Sequence, residues 1–179
     1  MLKSNLQSSF EEFCKNKKFE INNEQLIIID SIEKFLNPKK TFLKNFFNKR
    51  DVLCFYLHGN VGVGKTMLMD FVYNELEIKK YRLHFNEFMI SFHDFKHEKE
   101  DYNSIRSFVK NLKKQYELIY LDEFQVTNIV DAMILGKLFE VIFSENIKII
   151  ITTNIKLNDL YKDGLQREQF LPFISIIKN

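Results

Sequence analysis

Residues 52–76 read VLCFYLHGNVGVGKTMLMDFVYNEL, and this stretch decides the fold. Val52 to Leu57 is a continuous run of apolar, aromatic and β-branched residues, bounded by Asp51 and Gly59. It predicts a central strand covered on both faces. After the glycines, Leu68, Val72 and Leu76 recur every four residues, which predicts a helix from about Lys65 with Asp70, Asn74 and Glu77 turned outward. Between strand and helix, Gly59, Gly64, Lys65 and Thr66 meet the pattern G-x-x-x-x-G-K-[ST] without a mismatch. The chain has five glycines, and three of them, Gly59, Gly62 and Gly64, fall within these eight residues. An ordinary turn rarely concentrates them so.

Residues without Cβ let successive backbone N–H groups face one anion, and the helix that begins there aims its positive end at the same point. The run Gly59, Asn60, Val61, Gly62, Val63, Gly64, Lys65, Thr66 and Met67 is therefore expected to cradle the phosphates of a nucleotide. Lys65 reaches the β- and γ-phosphates, and the Thr66 hydroxyl binds Mg2+. A plain glycine turn with an exposed lysine is the simpler alternative, and the strand and helix on either side argue against it.

Further along, Tyr81 to Phe85 reads as a second strand, followed by a helical stretch with Phe88, Phe92 and Phe95 near one face and another helix around Ile105 to Leu112. Glu117 to Leu121 is a third strand. Asn128 to Ser144 is a helix in which Val130, Ile134, Leu138 and Ile142 step by four, with Asp131, Lys137 and Glu140 at polar positions. Ile147 to Ile151 is the fourth strand. Upstream, Asn22 and Asn23 start a helix with Leu26, Ile29, Ile32 or Glu33, and Leu36 at near-helical intervals, and Pro38 ends it. Strands alternating with helices predict a three-layer α/β fold with a mainly parallel sheet, and the glycine segment between its first strand and helix makes it a P-loop NTPase fold. We divide the chain into an N-terminal helical extension of the same domain, 1–50, and the ATPase core, 51–179.

The third strand emerges into Asp122 and Glu123 at its carboxyl end, where open α/β sheets place ligands. Asp122 is expected to hold magnesium and Glu123 to act as base or water-orienting carboxylate for attack on the γ-phosphate. Asn154, after Thr152 and Thr153, is placed to position that water, although it serves equally well as a turn residue. His93 and His97 have a zinc-compatible spacing in HDFKH, but the glutamate of HExxH is missing and no third ligand is evident.

Composition narrows the function classes. Lys and Arg number 26 against 24 Asp and Glu, for a formal charge of +2, which argues against a nucleic-acid footprint. Small basic clusters (Lys15, Lys17 and Lys18; Lys39 and Lys40) read as solvated faces. Cys14 and Cys54 lie far apart without a CxxC, so no disulfide framework is expected and the compartment is reducing, hence cytoplasmic. No secretory or transit pattern opens the chain, and no run approaches the ~20 apolar residues of a membrane span.

GNVGVGKTMLMDFVY, RLHFNEFM, LDEFQVTNIVDAMILGKLFE and TTNIKLNDLYKDGLQREQFLPFI, in that order, resemble the ZapE cell-division ATPases of bacteria and their mitochondrial AFG-one-like relatives. The resemblance runs from about Gly59 to Ile174 and implies an AAA+-like core and an ATP- and Mg2+-dependent hydrolase, with Gly59 to Thr66 as Walker A. Asp122 and Glu123 match the Walker B pair, Asn154 the sensor-one position, and Arg167 in GLQRE is a candidate arginine finger or sensor. The chain departs from the family near Gln169, at Asn86 and at Val63, and none of these removes a phosphate or magnesium ligand. By the same resemblance the partner is the division protein FtsZ or another protein client at the inner face of the inner membrane, with a second copy or a complementing chain as further partners. Family members continue past LPFI, so a fifth strand and a helical lid are expected to be missing, leaving the Val52–Leu57 strand with an open edge in a truncated or split product. Two alternatives stand beside an active remodelling ATPase: a nucleotide-binding interaction module with little hydrolysis, and a helicase-loader-like ATPase.

Overall fold

The computed structural model describes residues 5–38, 52–99 and 103–178. The Lys39–Lys40 cluster and the boundary placed at residue 50 lie outside them. Backbone contacts gather into two compact units. One contains the N-terminal helices and the segment Gly62–Ile78, and the other contains Leu53–Val61 and everything from Lys79 onward.

In the first unit, α1 (Leu6–Lys17) begins at Asn5, whose side chain accepts from the Ser8 N–H, and ends on Lys18 in the left-handed region. The second helix, α2 (Asn23–Leu36), begins in the same way, with Asn22 accepting from the Glu24 N–H at 2.8 Å. These caps satisfy donors that a helix start leaves open. The Leu6 N–H donates to the Glu33 carboxylate at 3.1 Å, tying the two helices together. Phe10 and Phe13 of α1 meet Phe71 of α3 (Lys65–Glu75) at centroid distances of 5.1 and 5.3 Å. Ile29, Ile32 and Phe35 form the buried stripe of α2, so Phe35 takes the inward place expected of Leu36.

The second unit is built on a wholly parallel sheet. Its strands are β1 (Cys54–His58), β2 (Lys80–His84), β3 (Leu118–Asp122) and β4 (Lys148–Thr153), in the order β1-β4-β3-β2. The first strand therefore stands at one edge of the four, as the resemblance implied and its apolar run did not, and most of its residues are only half-buried. Its apolar run misleads because β1 packs on side chains along its faces while, among the described residues, only β4 pairs with its backbone. The central strand is β3, where Leu118 to Leu121 are all buried.

Leu83, Ile119, Leu121, Ile149 and Ile151 share one core with α4 (Phe85–Lys99), α5 (Ser104–Gln115), α6 (Ile129–Ser144) and α7 (Arg167–Lys178). Phe85, read from sequence as the end of β2, instead opens α4 and is buried against Phe124. Along α6 the step of four holds for Leu138 and Ile142, but Val130 is exposed, and Ala132, Leu135, Phe139 and Val141 complete the inner face.

Candidate nucleotide site

At the start of the glycine segment the Gly59 N–H donates to the Thr153 carbonyl at 3.2 Å, extending the β1–β4 ladder one residue past His58. Within the helical unit, Gly62 and Gly64 both have φ of +85°. A Cβ on Gly62 would meet nothing, so conformation alone requires glycine there, whereas one on Gly64 would stand 3.0 Å from the Gln25 amide nitrogen. Gly64 is also the N-cap of α3, and no side chain caps that helix start or places an acid in its first turn. No acid of its own first turn competes for the first N–H groups of α3, as suits an anion-binding start. Gly64→Ala is expected to cost about 1–2 kcal/mol from the left-handed φ alone, read as a lower urea midpoint. An unchanged midpoint would show that the loop relaxes at no cost.

In the sheet unit all strands end at the same edge, and the polar residues gather there. Asp122 is mostly buried. One oxygen accepts from Arg82 Nε at 2.6 Å and the other from Thr152 Oγ1 at 2.8 Å. Glu123 follows in the left-handed region, φ +53°, with its side chain 83% exposed. That backbone turn has a clear consequence. It sends Glu123 into solvent while Phe124, fully buried, donates its N–H to the Thr152 carbonyl at 2.9 Å and accepts from Thr153 Oγ1 at 2.7 Å. His84 Nδ1 lies 3.7 Å from the Glu123 carboxylate, near enough for electrostatic influence but too far for a hydrogen bond.

Asn154 is exposed directly after β4, on the strand beside Asp122. The Tyr56 hydroxyl donates to the Ile155 carbonyl at 2.8 Å and pins the segment that follows. Burial pushes the Tyr56 phenol up from its ordinary value, so it remains a neutral donor. Arg167 opens α7 and donates from Nη2 to the Asn158 carbonyl at 2.7 Å, which makes it a staple on the loop after β4. His93 Nε2 pairs with Asp131 at 2.7 Å, joining α4 to α6. Among the described residues no group of three or more His, Cys, Asp or Glu could hold a metal ion.

Magnesium fits this donor set. A carboxylate offers about four lone-pair sites, and Asp122 has two left after Arg82 and Thr152 for a water that carries the cation. A single carboxylate sharing the ion with water and phosphates suits magnesium, which rarely takes an all-protein cage. The sequence reading missed Arg82, His84 and Thr152. Arg82 and His84 are two apart on β2 and share a face, a signal that becomes meaningful only once β2 is known to lie beside β3.

A parallel α/β sheet whose first strand runs through a G-x-x-x-x-G-K-T segment into a helix, with an Asp-Glu pair ending the central strand, defines the P-loop nucleoside triphosphatase class. The profile of the AFG1-like ATPases matches residues 11–179, and the chain belongs to that family. It is 41% identical over 137 residues to lactation elevated protein 1 homolog B of Danio rerio, an alignment covering 69% of this chain and 27% of that protein. It is 39% identical over 125 residues to the cell division protein ZapE of Escherichia coli K12, covering 69% and 33%. The chain thus spans about a third or less of the length of these relatives. In fold it is similar to domain III of the replication initiation protein DnaA from Thermotoga maritima, with a TM-score of 0.60 at 15% identity, covering 88% of this chain and 62% of that one. No helix among the described residues is long and apolar enough to cross a membrane.

Proposed function

We propose that this chain binds ATP through Gly59 to Met67 and hydrolyses it with magnesium, coupling turnover to the remodelling of a protein partner. The observation that carries this reading is the Asp122–Glu123 turn. It holds one carboxylate mostly buried at the end of the central strand and sends the next into solvent. Family membership supports ATP as the nucleotide.

In this reading the backbone N–H groups of the glycine segment and Lys65 Nζ hold the β- and γ-phosphates. Thr66 and, through water, Asp122 hold the cation, which when bound would neutralise charge on the phosphate oxygens. Glu123 orients and deprotonates the attacking water, and Asn154 fixes its direction. Arg167 supplies positive charge either to its own loop or to a neighbouring copy. The name of the Escherichia coli relative favours a cell-division client, FtsZ among the candidates, reached by a cytoplasmic protein that visits the inner face of the membrane.

Phosphate release measured against protein concentration tests this. Turnover that requires magnesium, stops in EDTA and rises per molecule with concentration is expected. Tight ATP binding with no phosphate release at any concentration would instead select a nucleotide-binding module without hydrolysis.

A further inference from the structure

Arg82 is placed by the sheet register. It pairs with Tyr120, and His84 pairs with Asp122, so Arg82 lies on the same face as Asp122 and reaches two residues forward along the neighbouring strand. Its Nε closes on the carboxylate at 2.6 Å, and the two side chains are only 21% and 15% exposed. An ionised carboxylate this far out of water needs a compensating positive charge. The other bond, from the Thr152 hydroxyl, carries none.

We propose that Arg82 is the resident cation of the magnesium site: it holds Asp122 in position and opposes a second positive charge there, so that magnesium settles only together with nucleotide phosphates. This rests on the nucleotide reading above. Three features carry it. The arginine binds the same carboxylate that would receive the metal-bound water, and it does so from a strand rather than a loop. Its guanidinium stays charged at any physiological pH. The phosphates bring negative charge that outweighs the repulsion, whereas the free cation brings only its own positive charge.

The test is a titration with a fluorescent ATP analogue, in MgCl2 and in EDTA, on the unaltered protein, Arg82→Lys and Arg82→Gln. The readout is the ratio of the two affinities. By linkage the magnesium-dependent gain in nucleotide affinity equals the nucleotide-dependent gain in magnesium affinity, so at saturating MgCl2 removing the charge that keeps the free cation out is expected to shrink the gain on the order of tenfold in Arg82→Gln, with Arg82→Lys close to the unaltered protein. A role limited to supporting the fold would leave the ratio alone. Arg82→Met, which keeps the packing of the stem, serves if the glutamine variant does not fold, as read by circular dichroism. An unchanged or larger ratio in a folded charge-removing variant overturns the proposal and leaves the nucleotide reading intact. Failure of the unaltered protein to bind the analogue in either buffer overturns both.

Discussion

Glu123→Gln is expected to lower ATP turnover by roughly two to three orders of magnitude, the usual contribution of a positioned general base, while ATP binding stays within a few-fold. The substitution keeps the shape and the exposure of the side chain and removes only its ability to take a proton. Its neighbours remain anchored, since Asp122 is held by Arg82 and Thr152 and Phe124 is locked into the ladder with β4. A loss confined to turnover therefore reports on chemistry and not on collapse of the turn. Single-turnover phosphate release alongside a binding titration separates the two. Turnover equal to that of the unaltered protein would remove Glu123 from the reaction.

Phe124→Ala carries the largest expected effect on stability, about 3–5 kcal/mol for emptying a fully buried phenyl site. The ring has no solvent exposure and lies 4.3 Å from Phe85, 5.6 Å from Phe173 and 6.3 Å from Phe139, centroid to centroid. It therefore joins α4, α6 and α7 to the end of β3. Three aromatic partners on three helices leave little room for collapse into the void, which places the cost at the upper part of the range. Urea denaturation followed by circular dichroism would measure it, and a loss below about 1 kcal/mol would show that the cluster closes over the gap. Because Phe124 also fixes the left-handed turn at Glu123, turnover should fall with stability in this variant, unlike the clean separation expected for the glutamine.

Much of the candidate site was legible in the sequence, because the pattern that phosphate binding demands is local. Gly59, Gly62, Gly64, Lys65 and Thr66 are contiguous, and the flanking strand and helix are written in the same residues. The positive φ at Gly62 and Gly64 is what a glycine choice there encodes. The Asp122–Glu123 pair was legible for the same reason, being the polar end of a buried strand. The resemblance to ZapE-type ATPases, carried by longer strings such as LDEFQVTNIVDAMILG, led to the family that the profile match establishes.

What could not be read locally depended on which strand lies beside which. A continuous apolar run describes burial along the faces of a strand and says nothing about whether both of its backbone edges are paired, so by its run alone β1 read as central, and only the family resemblance pointed to the edge of the four, where it lies. Phe85 read as strand because an aromatic residue ending a β-run looks the same whether the next backbone bond turns into a helix or not. Arg82 and Thr152 were invisible as partners of Asp122 because they lie 40 and 30 residues away. The sequence by itself determined the glycine segment between strand and helix, the acidic pair and the family, since those are set by adjacent residues. Only the tertiary structure decided the strand order and the arginine on the Asp122 carboxylate, since a charge pair between neighbouring strands exists only once the sheet has brought them within hydrogen-bond reach.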